Sequence, residues 1–306
     1  MKINQKSISP ITLGTARYGG SIDEKTAFAL IDTYRDLGGN TLDTARVYGE
    51  SESTIGKYLE ARKCRETLVI ATKGAHYNTV TKEKRVTARD IEYDVETSLK
   101  NLKTDYVDIY WLHRDDEDIP AGEIVEMTAP LVKSGKALVL GVSNWKHERI
   151  AAANSYADAH GLPRFEASQI KHSVAITVSE NDPTILSFGD NSRQFYEKEK
   201  MPIFAFTSQA RGLFSKLEEL GTDGISEQLK REFLCNETLC RYEALKKLSA
   251  ELRRPISQVA LACLTCDPTL NVIPIIGGRK PEQISDSMSS LEIRLAPEQY
   301  NTIMKG

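Results

Sequence analysis

Apolar residues fall along this chain in two alternating rhythms, short unbroken runs and longer stretches in which they recur every three or four positions. The runs at Ile11–Gly14, Asn40–Leu42, Leu68–Lys73, Tyr106–His113, Ala137–Val142, Phe165–Gln169, Pro202–Phe206 and Leu270–Ile275 read as buried strands. Helices are predicted between them. Over Glu24–Leu37, Ala27, Phe28, Leu30, Ile31 and Tyr34 keep helical spacing, and Gly38-Gly39 supplies a stop. Ser51 and Thr54 ahead of Ile55 and Leu59 mark a second helix start. Thr87-Ala-Arg-Asp90 resembles a capping box with Asp in place of Glu, and Ile91, Val95, Leu99 and Leu102 then share one face. Further helices are expected over Gly122–Ser134, Lys146–His160, around Arg193–Lys200, and over Asn236–Leu252 and Pro255–Cys266, with Pro281–Ser290 as the last.

Strands interleaved with helices, without a repeat or a second block of different composition, predict the α/β class and a (β/α)8 TIM barrel forming a single domain over residues 1–306. No strand is followed by Gly-x-Gly-x-x-Gly, so a nicotinamide cofactor would have to be held without a Rossmann turn. Two connections are long, Ile170–Asn191 and Thr207–Asn236. Both follow strands, and both are expected to act as substrate and cofactor lids.

Composition narrows the class of partner. The 306 residues are 40% hydrophobic and 27% charged, enough for one large core. A net charge of -3 and a pI near 6.0 argue against nucleic acid or an anionic membrane and for small-molecule chemistry. Met1-Lys2-Ile3-Asn4-Gln5-Lys6 shows no apolar leader region, and no run of 18 apolar residues occurs, so a cytoplasmic location is expected. The five cysteines are odd in number and scattered, which predicts reduced thiols. Cys263 and Cys266 have metal-ligand spacing, and Cys235 and Cys240 could complete a set of four, but the first pair lies in an apolar helical stretch and reads as core. No metal is expected.

Several strands end at ionisable groups. Asp43 closes the second, Lys73 the third and His113 the fourth, and Tyr48 stands in the loop that follows Asp43. Strand ends on one rim of a barrel are where chemistry is delivered. Neighbouring strands lie about 4.8 Å apart, so Asp43 can hold Lys73 charged, and an ammonium lowers the pKa of a nearby phenol. A phenol donor, a lysine that tunes it and an imidazole that positions an oxygen suit reduction of a carbonyl, where a proton is needed at oxygen. Taken singly, an Asp–Lys pair can be structural, and His113 would read as a core histidine. His76, His147, His160 and His172 take only that core reading, except that His172 follows Gln169 and could line a pocket.

Nearly the whole chain resembles the aldo-keto reductase family. The resemblance is carried by LGTARYGG, LDTARVYGESE, ATKG, DYVDIYWLHR, GKALVLGVSNW, ASQ ending at Gln169, FAFTSQARGLF and IPIIGGRKPEQ. It implies an oxidoreductase that reduces an aldehyde or ketone, sugar-like or aryl, with NADPH rather than NADH. Tyr48 would be the general acid, Lys73 its tuning group, Asp43 the partner of Lys73, and His113 would orient the carbonyl. The same resemblance places Ser143, Asn144 and Gln169 on the nicotinamide amide, and Phe206 on the ring, where most members carry tyrosine. Ser208, Gln209 and Arg211 would meet the pyrophosphate, and Gly277, Arg279, Gln283 and Ser287 the adenosine end. Arg279 is the fork for the 2′-phosphate, and Ser287 departs from the usual asparagine. Substrate walls would come from Tyr18, Trp111 or its neighbours, Arg114, Trp145 and His172. A slow-turnover nucleotide sensor, similar to the potassium-channel beta subunits, is the alternative. Oligomeric state is not legible in the sequence.

Overall fold

Thr12–Gly14, Thr41–Asp43, Val69–Gly74, Val107–Leu112, Ala137–Ser143, Phe165–Lys171, Ile203–Phe206 and Val272–Ile276 are strands β3 to β10; a hairpin of two short strands, β1 (Lys2–Ile3) and β2 (Lys6–Ser7), precedes them. In the computed structural model these eight strands close into a parallel barrel in the order β10-β3-β4-β5-β6-β7-β8-β9. Residues 2–3 and 6–305 are described; Met1, Asn4 and Gln5, part of the stretch read for a leader, and Gly306 lie outside them. No helix among the described residues is long and apolar enough to cross a membrane.

The chain divides into two compact units, Met1–Gln169 and Ile170–Gly306. In the first, helices α1 (Glu24–Asp36), α2 (Ser51–Arg62), α3 (Ala88–Leu102), α4 (Ala121–Lys133) and α5 (His147–His160) alternate with the strands. Caps set two of the helix starts. The Asp23 carboxylate accepts from Thr26 N at 2.7 Å, and Thr87 Oγ1 accepts from Asp90 N at 3.1 Å while donating to Asp90 Oδ2 at 2.8 Å. Strands β5 and β6 are buried along their whole length, which is why they read as unbroken apolar runs. Register fixes the rim: Gly14 pairs with Asp43, Asp43 with Ala71, and Lys73 with Trp111.

The second unit holds α6 (Asp190–Glu199), α7 (Leu213–Gly224), α8 (Glu227–Phe233), α9 (Asn236–Leu252), α10 (Ile256–Thr265), α11 (Pro281–Ser289) and α12 (Pro297–Lys305) beside β9 and β10. Two expectations are corrected here. Thr207–Asn236 is not an open loop, because Leu213, Phe214 and Leu217 on α7 and Leu229 and Phe233 on α8 enter a core with Leu245, Val259 and Ile303. Ser226 caps α8 by accepting from Leu229 N at 3.4 Å. Nor is Pro281–Ser290 the last helix: α12 follows, with Tyr300 and Ile303 buried one turn apart. The other long connection shortens to residues 172–189, since β8 runs on to Lys171 and α6 starts at Asp190.

Candidate active site

The loops beyond β3 and β4 are joined by hydroxyls. Ser51 Oγ lies 2.9 Å from Thr15 Oγ1 and 2.8 Å from Thr44 Oγ1, and donates to Thr15 O at 2.8 Å. This buried cluster fixes the start of α2 and with it the short loop that carries Tyr48, whose N donates to Ala45 O at 3.0 Å.

Lys73, near the end of β5, is fully buried. Its ammonium donates to Asp43 Oδ2 at 2.6 Å and to Thr44 O at 2.8 Å. The other Asp43 oxygen accepts from Gln169 Nε2 at 2.8 Å. A buried ion pair is tolerated only when its remaining hydrogen-bonding capacity is met, and here both carboxylate oxygens are engaged. The Lys73 ammonium also lies 4.9 Å from the centre of the half-buried Tyr48 ring. His113, the first residue after β6, meets Tyr48 edge-on with ring centres 5.8 Å apart. Burial, followed by the positive charges of Lys73 and Arg114 and by His76, holds the His113 imidazole well below its usual range, so it is neutral at neutral pH. Its Nδ1 is shielded from solvent and has no hydrogen-bond partner among the described residues.

Asp43, Tyr48, Lys73 and His113 are thus brought together. A fifth residue joins them that the sequence reading left in the core: the His76 ring stands 4.7 Å from His113 at an interplanar angle of 74°. Its place just past Gly74, on the rim that carries Lys73, was the signal that could have found it. His76 Nδ1 lies 2.8 Å from Tyr77 O, which fixes the ring as an Nδ1–H donor.

Ser143 ends β7 and Gln169 lies on β8 as its register partner. Asn144 follows with φ +59°, a left-handed conformation that Asn accepts more readily than most residues. Its Nδ2 donates to Ser143 Oγ at 3.0 Å and its N to Gln169 O at 3.0 Å. Tyr18 and Trp145 are almost wholly buried, and burial pushes the Tyr18 phenol far above its usual value. Arg149 lies 5.2 Å over the Trp145 ring. Arg114 is buried, donates from Nη1 to His113 O at 2.8 Å and faces the Tyr77 ring at 5.8 Å. Trp111 is fully buried, and a Cβ on Gly141 would lie 2.3 Å from its indole.

The second unit gathers the other set. His172 N donates to Phe206 O at 3.2 Å, and its ring packs 4.4 Å from Phe188. Burial pushes the His172 imidazole down to about 4, against an opposing pull from Asp267. Ser208 Oγ donates to Ile275 O at 2.7 Å, and Gln209 Nε2 reaches Ser287 Oγ at 3.2 Å, which in turn donates to Gln283 O at 2.9 Å. Arg211 Nε is engaged by Glu232 Oε2 at 2.9 Å, with 48% of the side chain exposed. Gly277 and Arg279 are exposed just ahead of α11, where Gln283 Oε1 accepts from Arg279 N at 2.7 Å and Lys280 N at 3.2 Å.

The profile of the Aldo/keto reductase family matches residues 10–305. The chain belongs to this family. Curated relatives span most of it. An aryl-alcohol dehydrogenase of Pestalotiopsis microspora is 30% identical over 318 residues, covering 98% of this chain and 79% of the relative. A norsolorinic acid reductase of Emericella nidulans is 29% identical over 318 residues, covering 97% and 77%. An aryl-alcohol dehydrogenase [NADP(+)] of Phanerodontia chrysosporium is 28% identical over 326 residues, covering 95% and 80%. As an aldo/keto reductase, the chain is an oxidoreductase acting on small carbonyl or alcohol compounds and using a nicotinamide cofactor.

Proposed function

We propose that the chain reduces an aldehyde or ketone to the alcohol with NADPH, Tyr48 acting as general acid. The observation that carries this reading is the Asp43–Lys73 pair beside the Tyr48 ring, with a neutral histidine on the ring's edge.

Each set of residues, taken by itself, fits the part of the cofactor that it would meet. A carboxamide needs one donor and one acceptor. Gln169 spends Nε2 on Asp43 and keeps Oε1 to accept, while Ser143 Oγ accepts from Asn144 and keeps its O–H to donate. Arg279 and Lys280 are exposed at the start of α11, where cations and a helix N-terminus together favour phosphate. Space is open around Gly277, where an added Cβ would meet nothing within 4 Å. When bound, the dihydronicotinamide supplies a hydride to the carbonyl carbon.

The chain's own groups handle the proton. Tyr48 donates its phenolic hydrogen to the carbonyl oxygen, and the ammonium held beside the ring stabilises the phenolate that remains. Asp43 and Thr44 O keep that ammonium in place. His113, being neutral, offers an N–H to the same oxygen without competing for the proton. The relative named for NADP(+) and aryl alcohols supports both the cofactor and an aryl substrate.

The test is NADPH and NADH binding by fluorescence, followed by NADPH oxidation across aryl aldehydes, sugars and ketones. Turnover with a preference for NADPH is expected. Binding without turnover of any carbonyl sinks the reductase reading.

A further inference from the structure

Thr15-Ala16-Arg17 follows β3 and Thr44-Ala45-Arg46 follows β4, so one tripeptide occurs twice on neighbouring strands. The strand ends Gly14 and Asp43 are register partners, and Thr15 N donates to Asp43 O at 3.0 Å. Ser51 then bonds both threonine hydroxyls, which fastens the two loops side by side. Arg17 and Arg46 therefore leave one rim from equivalent points. The backbone N of Arg46 donates to Lys73 O at 2.9 Å, two residues before Tyr48.

Charge is not balanced at this place. Arg46 is half-buried, and its Nε is shielded from water without a hydrogen-bond partner among the described residues. Neither Arg17 nor Arg46 makes a side-chain hydrogen bond or an ion pair among those residues. Asp43 is committed to Lys73, Asp115 to Arg149 at 2.8 Å and Asp116 to Lys84 at 2.6 Å, and the exposed Glu50 on the same loop forms no ion pair with either arginine among the described residues. A partly desolvated guanidinium lacking a counter-charge is costly in the free protein and is stabilised by a ligand that brings one.

We propose that the rim of the first unit selects carbonyl substrates bearing an oxyanion, a carboxylate or a phosphate, with Arg46 as the principal fork and Arg17 beside it. This deepens the reductase reading and rests on it. A guanidinium matches either oxyanion through paired N–H donors.

The test uses the full chain with NADPH and two matched pairs: para-carboxybenzaldehyde against its methyl ester, and glycolaldehyde phosphate against glycolaldehyde. The expected result is a kcat/KM ratio of about 10 or more in favour of the charged member, from the greater strength of charge-assisted hydrogen bonds. Arg46→Gln should bring the ratio close to one, with Arg46→Lys between. A preference confined to one pair identifies which oxyanion the rim takes. A wild-type ratio near one for both pairs overturns the inference and leaves the reductase reading standing. Binding of para-(hydroxymethyl)benzoate and its methyl ester, read by tryptophan fluorescence, separates the two claims. Tighter binding of the anion without turnover of any aldehyde keeps the oxyanion site and removes the reductase reading. Weaker NADPH binding by Arg46→Gln at an unaltered ratio overturns the inference and gives the arginine to the nucleotide.

Discussion

Gln169 Nε2 donates to Asp43 Oδ1 at 2.8 Å, so the carboxylate that holds Lys73 also orients a carboxamide on β8, four strands further along the chain. The two roles assigned by resemblance, tuning the acid and gripping the nicotinamide, share one side chain. Asp43→Asn should disturb both at once.

That substitution also leaves the Lys73 ammonium buried without its counter-charge. Loss of one partner of such a pair costs about 3–5 kcal/mol. Asp43→Asn and Lys73→Met are each expected to lower stability by that order in urea denaturation, and the double variant by less than the sum. Strict additivity would show that the two charges do not stabilise each other.

Tyr48→Phe keeps the ring beside Lys73 and removes only the hydroxyl, and with it the proton. Carbonyl reduction should fall by about 10²–10⁴-fold, the usual contribution of a general acid, while NADPH binding is retained. Turnover within a few-fold of wild type would remove Tyr48 from the mechanism.

Much of this is legible in the sequence. The eight barrel strands announced themselves because strands buried on both faces are unbroken apolar runs, and α9 occupies Asn236–Leu252 as its periodicity predicted. The meeting of Asp43 and Lys73 followed from their places at adjacent strand ends. Helices α7 and α8 are hard to read in the sequence because Gly212, Gly221 and Gly224 punctuate the segment, a loop signal that competes with the spacing of Leu213, Phe214 and Leu217. The Gln169–Asp43 bond and the His76–His113 contact depend on rotamers and register, which no periodicity reports. Arg211 meets Glu232 because α8, itself unforeseen, carries that carboxylate.

At the other set of residues, Arg279→Ala should weaken NADPH by about 10–100-fold, the range of a lost charge-assisted hydrogen bond, and NADH far less. Fluorescence titration with both nucleotides checks this. Equal losses would place the 2′-phosphate elsewhere, with Lys280 the next candidate.

Acid should unfold the protein through its buried histidines. In the unfolded chain an imidazole titrates near ~6.5, whereas burial holds His172 down at about 4 and His113 also well below its usual range. Below ~6.5 the unfolded state takes up protons that the folded state refuses, so stability is full above that pH and falls as pH drops towards 4, by about 3 kcal/mol from His172 alone. Urea midpoints measured from about pH 7 to about pH 4.5 should decline accordingly, less steeply in His172→Gln. An identical slope in the variant would assign the acid sensitivity to other groups.

At Asn144, shape and chemistry are carried by one residue. The backbone turns left-handed there, at φ +59°, and the carboxamide bonds back to Ser143. Glycine could keep the turn and lose the amide; alanine would strain the turn and lose the amide. The site therefore has a narrow substitutional vocabulary: a lineage drifting at this position can reach glycine and retain the fold's path without the amide, or aspartate and exchange the amide for a charge, while other side chains hold the bend only at a conformational cost.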